Sequence, residues 1–115
     1  MHTVVETAAY LSAAKSAGLS DEDRRAVVDL LAAEPESGDL MQGTGGCRKL
    51  RIAGRGKGKS GGYRLITAYV GRNYPVFLLT VFGKNEKSNL TRSERNELAR
   101  LTDILAKTYR KHAPE

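Results

Sequence analysis

The 115-residue sequence has no tryptophan, two phenylalanines, three prolines and one cysteine. A single cysteine cannot close a disulfide within the chain, which points towards a reducing compartment. Aromatic residues make up only 6%, too few for a broad base-stacking platform. The two histidines, His2 and His112, stand near opposite ends of the chain. Each reads as a surface residue rather than a ligand or catalyst. No apolar run approaches the roughly 20 residues that cross a bilayer. The N-terminus shows no basic-then-apolar targeting pattern. The expectation is a cytoplasmic protein with no membrane partner.

The most informative absence is of acids. Residues 40–85 contain nine lysines and arginines and no carboxylate. Residues 1–39 carry three basic and eight acidic side chains, and residues 86–115 carry seven and five. The formal net charge of +6 therefore originates in the middle of the chain. Such a field attracts polyanions: nucleic acid, an anionic membrane surface or an acidic protein. The bland alternative is a solvated basic face. Mg²⁺ sites need carboxylates, which this stretch lacks. Cys47 has no cysteine or histidine at metal-binding spacing. No metal and no cofactor are expected. Cys47 itself has basic neighbours that favour a lowered thiol pKa, or it is a plain, partly buried thiol.

Forty per cent hydrophobic residues and this length suit one domain spanning residues 1–115. His2 to Val5 reads as a short strand. Thr7 caps a helix through Ala17, which Gly18 ends. Ser20, followed by Asp21, Glu22 and Asp23, opens a second helix, with Ala26, Val27, Leu30 and Leu31 on one stripe. Glu34-Pro35 closes it. Ser37 to Gly46 is polar and Gly-rich. Leu50 and Ile52 alternate with Arg51 as a strand. Tyr63–Val70 and Pro75–Phe82 are two further strands, the latter continuously apolar and interior to the sheet. Thr91-Arg92-Ser93-Glu94 is a capping box, and Leu98, Leu101, Leu105 and Tyr109 form the stripe of the last helix. The order is β-α-α-β-β-β-α, an α+β domain with an antiparallel run of three strands.

The loop Ala53 to Ser60 ends in Gly-Lys-Ser, the tail of a phosphate-binding P-loop. That reading fails twice. The leading glycine would fall on Ala53, and a strand follows where a helix is required. A phosphodiester site is the other reading. Glycines let backbone N–H groups approach phosphate. Lys57 and Lys59, two apart, point the same way in extended chain. Arg64 follows at the start of the next strand. Such a cluster can stabilise a pentavalent phosphate, and a lysine among cations loses basicity enough to serve as a base. A flexible basic loop that only touches phosphate stays open as the alternative.

The stretch Glu36 to Arg51, with Gly38-Asp39, Gly43-Thr44-Gly45-Gly46 and Arg48-Lys49-Leu50-Arg51, resembles the HigB branch of the RelE/ParE toxin superfamily. Gly58 to Arg64 is similar to that branch's "G-K-S-G-G-x-R" loop. Lys84 to Thr91 is similar to its late "K-N-E-K-x-x-L-T" motif. The resemblance implies a RelE-like fold: a small antiparallel sheet with two N-terminal helices and one C-terminal helix. It implies the toxin of a type II toxin–antitoxin system that enters the ribosome and cleaves mRNA. The cleavage is metal-independent and proceeds by attack of the ribose 2′-OH. It also implies partners: the ribosome, mRNA, and a cognate antitoxin with a helix-turn-helix domain, through which alone operator DNA is reached.

By the same resemblance Arg64 clamps the scissile phosphate. Lys57 and Lys59 supply phosphate contacts and a candidate base, while Lys84 and Lys87 belong to the late basic motif beside the site. Arg48, Lys49, Arg51 and Arg55 are candidate RNA-binding residues. Some RelE members carry arginine where Asn85 stands and tyrosine where Thr91 stands. This chain has neither, so the general base and acid stay open, with Lys59 and Lys87 as candidates. Two other functions share the fold or the charge: a ParE-like toxin that inhibits DNA gyrase, and a basic RNA-binding module without cleavage.

Overall fold

The computed structural model describes residues 1–53, 62–83 and 90–112, excepting the side chains of Lys111 and His112. The elements are β1 (Val4–Glu6), α1 (Ala8–Ala17), α2 (Asp21–Ala33), β2 (Asp39–Leu40), β3 (Cys47–Ile52), β4 (Tyr63–Ala68), β5 (Val76–Gly83) and α3 (Arg92–His112). They build a five-stranded sheet in the order β1-β5-β4-β3-β2. The β2–β3, β3–β4 and β4–β5 pairs are antiparallel. β1 lies parallel to β5, with Val4 opposite Val76 and Glu6 opposite Leu78. The α+β class and the three helices are as the sequence predicts.

Three departures have physical reasons. Asp39–Leu40 pairs with Lys49 and Arg48 as an extra edge strand; two exposed residues carry no alternation to announce it. β1 joins in parallel because α1 and α2 follow it, and only a long excursion returns the chain to a parallel neighbour. β4 stops at Ala68, two residues short of expectation, where Tyr69 N–H turns to donate to the Gly46 carbonyl.

Local signals hold at the helix ends. The Thr7 hydroxyl accepts from Tyr10 N–H at 3.1 Å. Ser20 and Asp23 form a reciprocal capping box, as do Thr91 and Glu94. Gly18 ends α1 at φ 89°, a left-handed conformation that favours glycine.

The sheet separates two cores. On one face, Tyr10, Ala14, Val27 and Leu31 of α1 and α2 pack against Tyr63, Leu65, Val76, Leu78 and Val81. On the other, Leu98, Leu101 and Leu105 of α3 cover Cys47, Ile66, Ala68, Phe77, Leu79 and Phe82. The pairing of β4 with β5 shifts between Ile66 and Thr67, a bulge that leaves both Leu79 and Phe82 on the α3 side. No helix of the described residues is long and apolar enough to cross a membrane.

Candidate functional site

Strand alternation sorts the basic residues of β3. Cys47 belongs to the α3-side core, and Leu50 and Ile52 pack on the opposite one. With a period of two, Lys49 and Arg51 share the face of Cys47, and Arg48 shares that of Leu50. The three candidate RNA-binding residues of β3 thus do not share one face. Arg48 Nη1 donates to the Gly38 carbonyl at 3.4 Å, and its buried Nε has no partner among the described residues. Arg48 holds the β2 edge against β3. Arg55 lies outside the described residues.

On the α3 side, Arg64 of β4 stands directly opposite Arg51 of β3, and Lys49 stands opposite Ile66. Arg64 is also the register partner of Phe82 on β5. Arg51 is exposed, while Lys49 and Arg64 are half-buried. The Nη1 of Arg64 is buried and has no hydrogen-bond partner among the described residues. A guanidinium carries five donors and no acceptor, so a buried, unanswered N–H is costly unless an anion arrives. Like charges directly across a ladder repel. Arg51 and Arg64 thus place two like charges at facing positions of one ladder. Arg51, near the end of β3, also borders a groove of about 280 Å³ under α2 with Asp23, Leu30 and Tyr63.

Lys57, Lys59, Lys84 and Lys87 lie outside the described residues. Their flanking residues do not. Tyr63 pairs with Ile52 on one side and Gly83 on the other, so both segments leave the sheet at the same end, next to Arg51 and Arg64. Gly62, at φ 66°, closes that end; a Cβ there would collide with the Ile52 carbonyl oxygen.

The Gly43–Gly46 run is framework. Thr44 is fully buried; its hydroxyl donates to the Met41 carbonyl at 2.6 Å and accepts from Cys47 N–H at 3.1 Å. Gly46, at φ 125°, sits where a Cβ would meet the Tyr69 carbonyl oxygen at 2.9 Å. This turn fixes where β3 begins and hence which face each β3 cation takes.

Cys47 is fully buried, its Sγ 3.1 Å from Thr102 Oγ1 of α3. Burial pushes its pKa up, only partly opposed by its hydrogen bonding with Thr102 and Thr44. Of the two readings of Cys47, the plain buried thiol is the one the structure bears out, not the thiol activated by basic neighbours. His2 is not a plain surface residue. Its Nε2 lies 2.6 Å from the Tyr74 carbonyl, and its ring packs edge-on to Tyr69.

A family model described as the RelE toxin of the RelE / RelB toxin–antitoxin system matches residues 2–113. The chain belongs to the RelE toxin family. Among solved structures, a double mutant of the E. coli toxin RelE in the free state aligns with a TM-score of 0.57. It shares 17% sequence identity, and the alignment covers 84% of this chain and 95% of that one. That likeness is one of fold. Family membership makes this protein the toxin side of a toxin–antitoxin pair, with an antitoxin as partner.

Proposed function

We propose that the protein is a ribosome-dependent endoribonuclease that cuts mRNA by metal-independent attack of the ribose 2′-OH on the adjacent phosphate. The observation that carries the reading is the buried, unpartnered Nη1 of Arg64, opposed across the ladder by Arg51. Cleavage by this route places an extra negative charge on the phosphate in the transition state. A guanidinium partly withdrawn from water and fixed on the sheet interacts more strongly with such a charge as it develops.

Attack removes a proton from the 2′-OH, and departure returns one to the 5′ oxygen. Lysines on the two segments that leave the sheet beside Arg64 are the candidates for these transfers, Lys57 or Lys59 as base and Lys84 or Lys87 as acid. Lys49 and Arg51 hold the flanking phosphates. Arg48 contributes to the sheet edge rather than to RNA. The antitoxin, carrying an acidic segment, covers this cationic strip in the cytoplasm until it is degraded or released. It also supplies the helix-turn-helix domain through which operator DNA is bound.

The test is a translation extract programmed with one mRNA. Wild-type protein should generate new 5′-OH ends only on ribosome-bound message, and Arg64→Ala should abolish them. Wild-type protein that leaves mRNA whole, or that induces DNA damage instead of halting translation, would refute the proposal.

A further inference from the structure

Beside Arg64 the α3 face holds a second feature that phosphate chemistry does not use. A groove of about 300 Å³ runs between β5 and the first turns of α3, bordered by Thr80, Phe82, Leu90, Leu98, Glu94 and Glu97. Phe82 is the register partner of Arg64. Adjacent strands lie about 5 Å apart, so the groove and the guanidinium are within the span of one nucleotide.

The groove cannot serve the phosphate. Two carboxylates at its rim repel an anion, and its walls are apolar. What suits it is the neutral part of a nucleotide, provided that part offers N–H donors. The Glu94 carboxylate already accepts from Thr91 N–H at 2.9 Å in the capping box. Glu97, one turn further along α3, is exposed, and among the described residues no hydrogen bond or ion pair engages it. A carboxylate with both oxygens free matches two adjacent donors. Guanine alone presents them, N1–H beside its exocyclic amine. Adenine and cytosine place a ring acceptor next to the amine. Uracil sets its one N–H between two carbonyl oxygens, which a carboxylate repels. Single-stranded RNA is read in this manner, by bases splayed out onto apolar or aromatic surface and held at the base edge.

We infer that the groove between β5 and α3 is a nucleobase subsite that selects guanine through Glu97, adjoining the phosphate held by Arg64. The inference rests on reading the chain as an RNA-cleaving toxin, but its test does not need cleavage. Isotope-labelled protein is titrated with guanosine, adenosine, cytidine and uridine monophosphates, and backbone amide shifts are followed by NMR. Guanosine monophosphate should shift Thr80, Leu90 and Leu98 and bind about tenfold tighter than uridine monophosphate, the discrimination of one bidentate contact to a base edge. Glu97→Gln, an isosteric change at an exposed helix position, should bring the ratio close to one. Arg64→Ala should weaken all four nucleotides alike and keep the ratio. Equal affinities in the wild type, shifts confined to other surfaces, no binding of any nucleotide, or a guanine preference that survives Glu97→Gln would overturn the subsite. A guanine preference in protein that leaves ribosome-bound mRNA whole would refute the cleavage reading and leave the subsite standing.

Discussion

Replacing Arg64 by methionine should make the protein more stable and less active at once. Among the described residues its buried Nη1 has no partner, and an unanswered buried donor costs about 1–3 kcal/mol. Its position opposite Arg51 adds repulsion of about 0.2–1 kcal/mol. Methionine keeps an unbranched stem at the position facing Phe82 while removing both penalties. The stem contacts it preserves and the solvent still reaching a half-buried side chain reduce the gain, so about 1–2 kcal/mol is expected. For a domain of this size that is a rise in Tm of about 4–10 °C. Denaturant titration of wild type and variant at low salt measures the gain. Repeating it at high salt should shrink the part due to Arg51. Cleavage of ribosome-bound mRNA should meanwhile fall by about 10²–10³, the usual loss when one preorganised charge-stabilising donor is removed. A variant that is less stable than wild type by more than 1 kcal/mol with an unchanged denaturant slope would show that Arg64 is satisfied in the free protein, and the argument for an awaited anion would fall.

Three further outcomes follow from buried groups and glycines. Tyr10 is fully buried, its hydroxyl has no partner among the described residues, and burial together with the nearby Glu6 carboxylate pushes its pKa up to about 12. The folded state therefore favours the neutral phenol. Its contribution is intact below the unfolded value near 10 and is lost as pH climbs from 10 to 12. Tyr10→Phe should flatten that alkaline loss, worth about 2–3 kcal/mol, and should not destabilise the protein at pH 7; urea titrations across pH check both. Gly46→Ala should cost about 2–3 kcal/mol, because a Cβ would press on the Tyr69 carbonyl from a left-handed backbone; thermal melts would contradict this if Tm were unchanged. The Cys47 thiol, with its pKa raised by burial, should resist a soluble thiol reagent at pH 8 until the chain is unfolded in denaturant, and rapid labelling of native protein would refute its placement.

Much of the fold is written locally. The capping residues Thr7, Ser20 and Thr91, the stop at Gly18 and the apolar run of β5 announce themselves because each acts within a few residues of itself. What is not local stays hidden. Asp39–Leu40 becomes a strand only because Arg48 and Lys49 offer it an edge. The parallel seating of β1 beside β5 depends on partners more than seventy residues away. For the candidate site, the sequence pools Arg48, Lys49 and Arg51 as one basic run, although the alternation of Leu50 and Ile52 already carries the signal that separates Arg48 from the other two. The base groove has no such signal. Thr80, Phe82, Leu90 and Glu97 come from different elements and meet only through the packing of α3.

The seating of β1 also constrains the order in which the molecule can be completed. Val4, Val5 and Glu6 are among the first residues to be made, yet their partners Val76, Phe77 and Leu78 come late in the chain. Arg64 occupies a strand whose other neighbour, β5, is equally late. A nascent chain halted before residue 76 has β1 and the basic strands but lacks β5, the strand that joins β1 to β4, and non-local pairings of this kind form slowly. A fragment released early by a stalled or damaged ribosome would thus lack the frame that holds Arg64 opposite Arg51. The toxin's own activity is tied to near-complete synthesis, so interrupted translation of its message yields inert polypeptide rather than a partial poison.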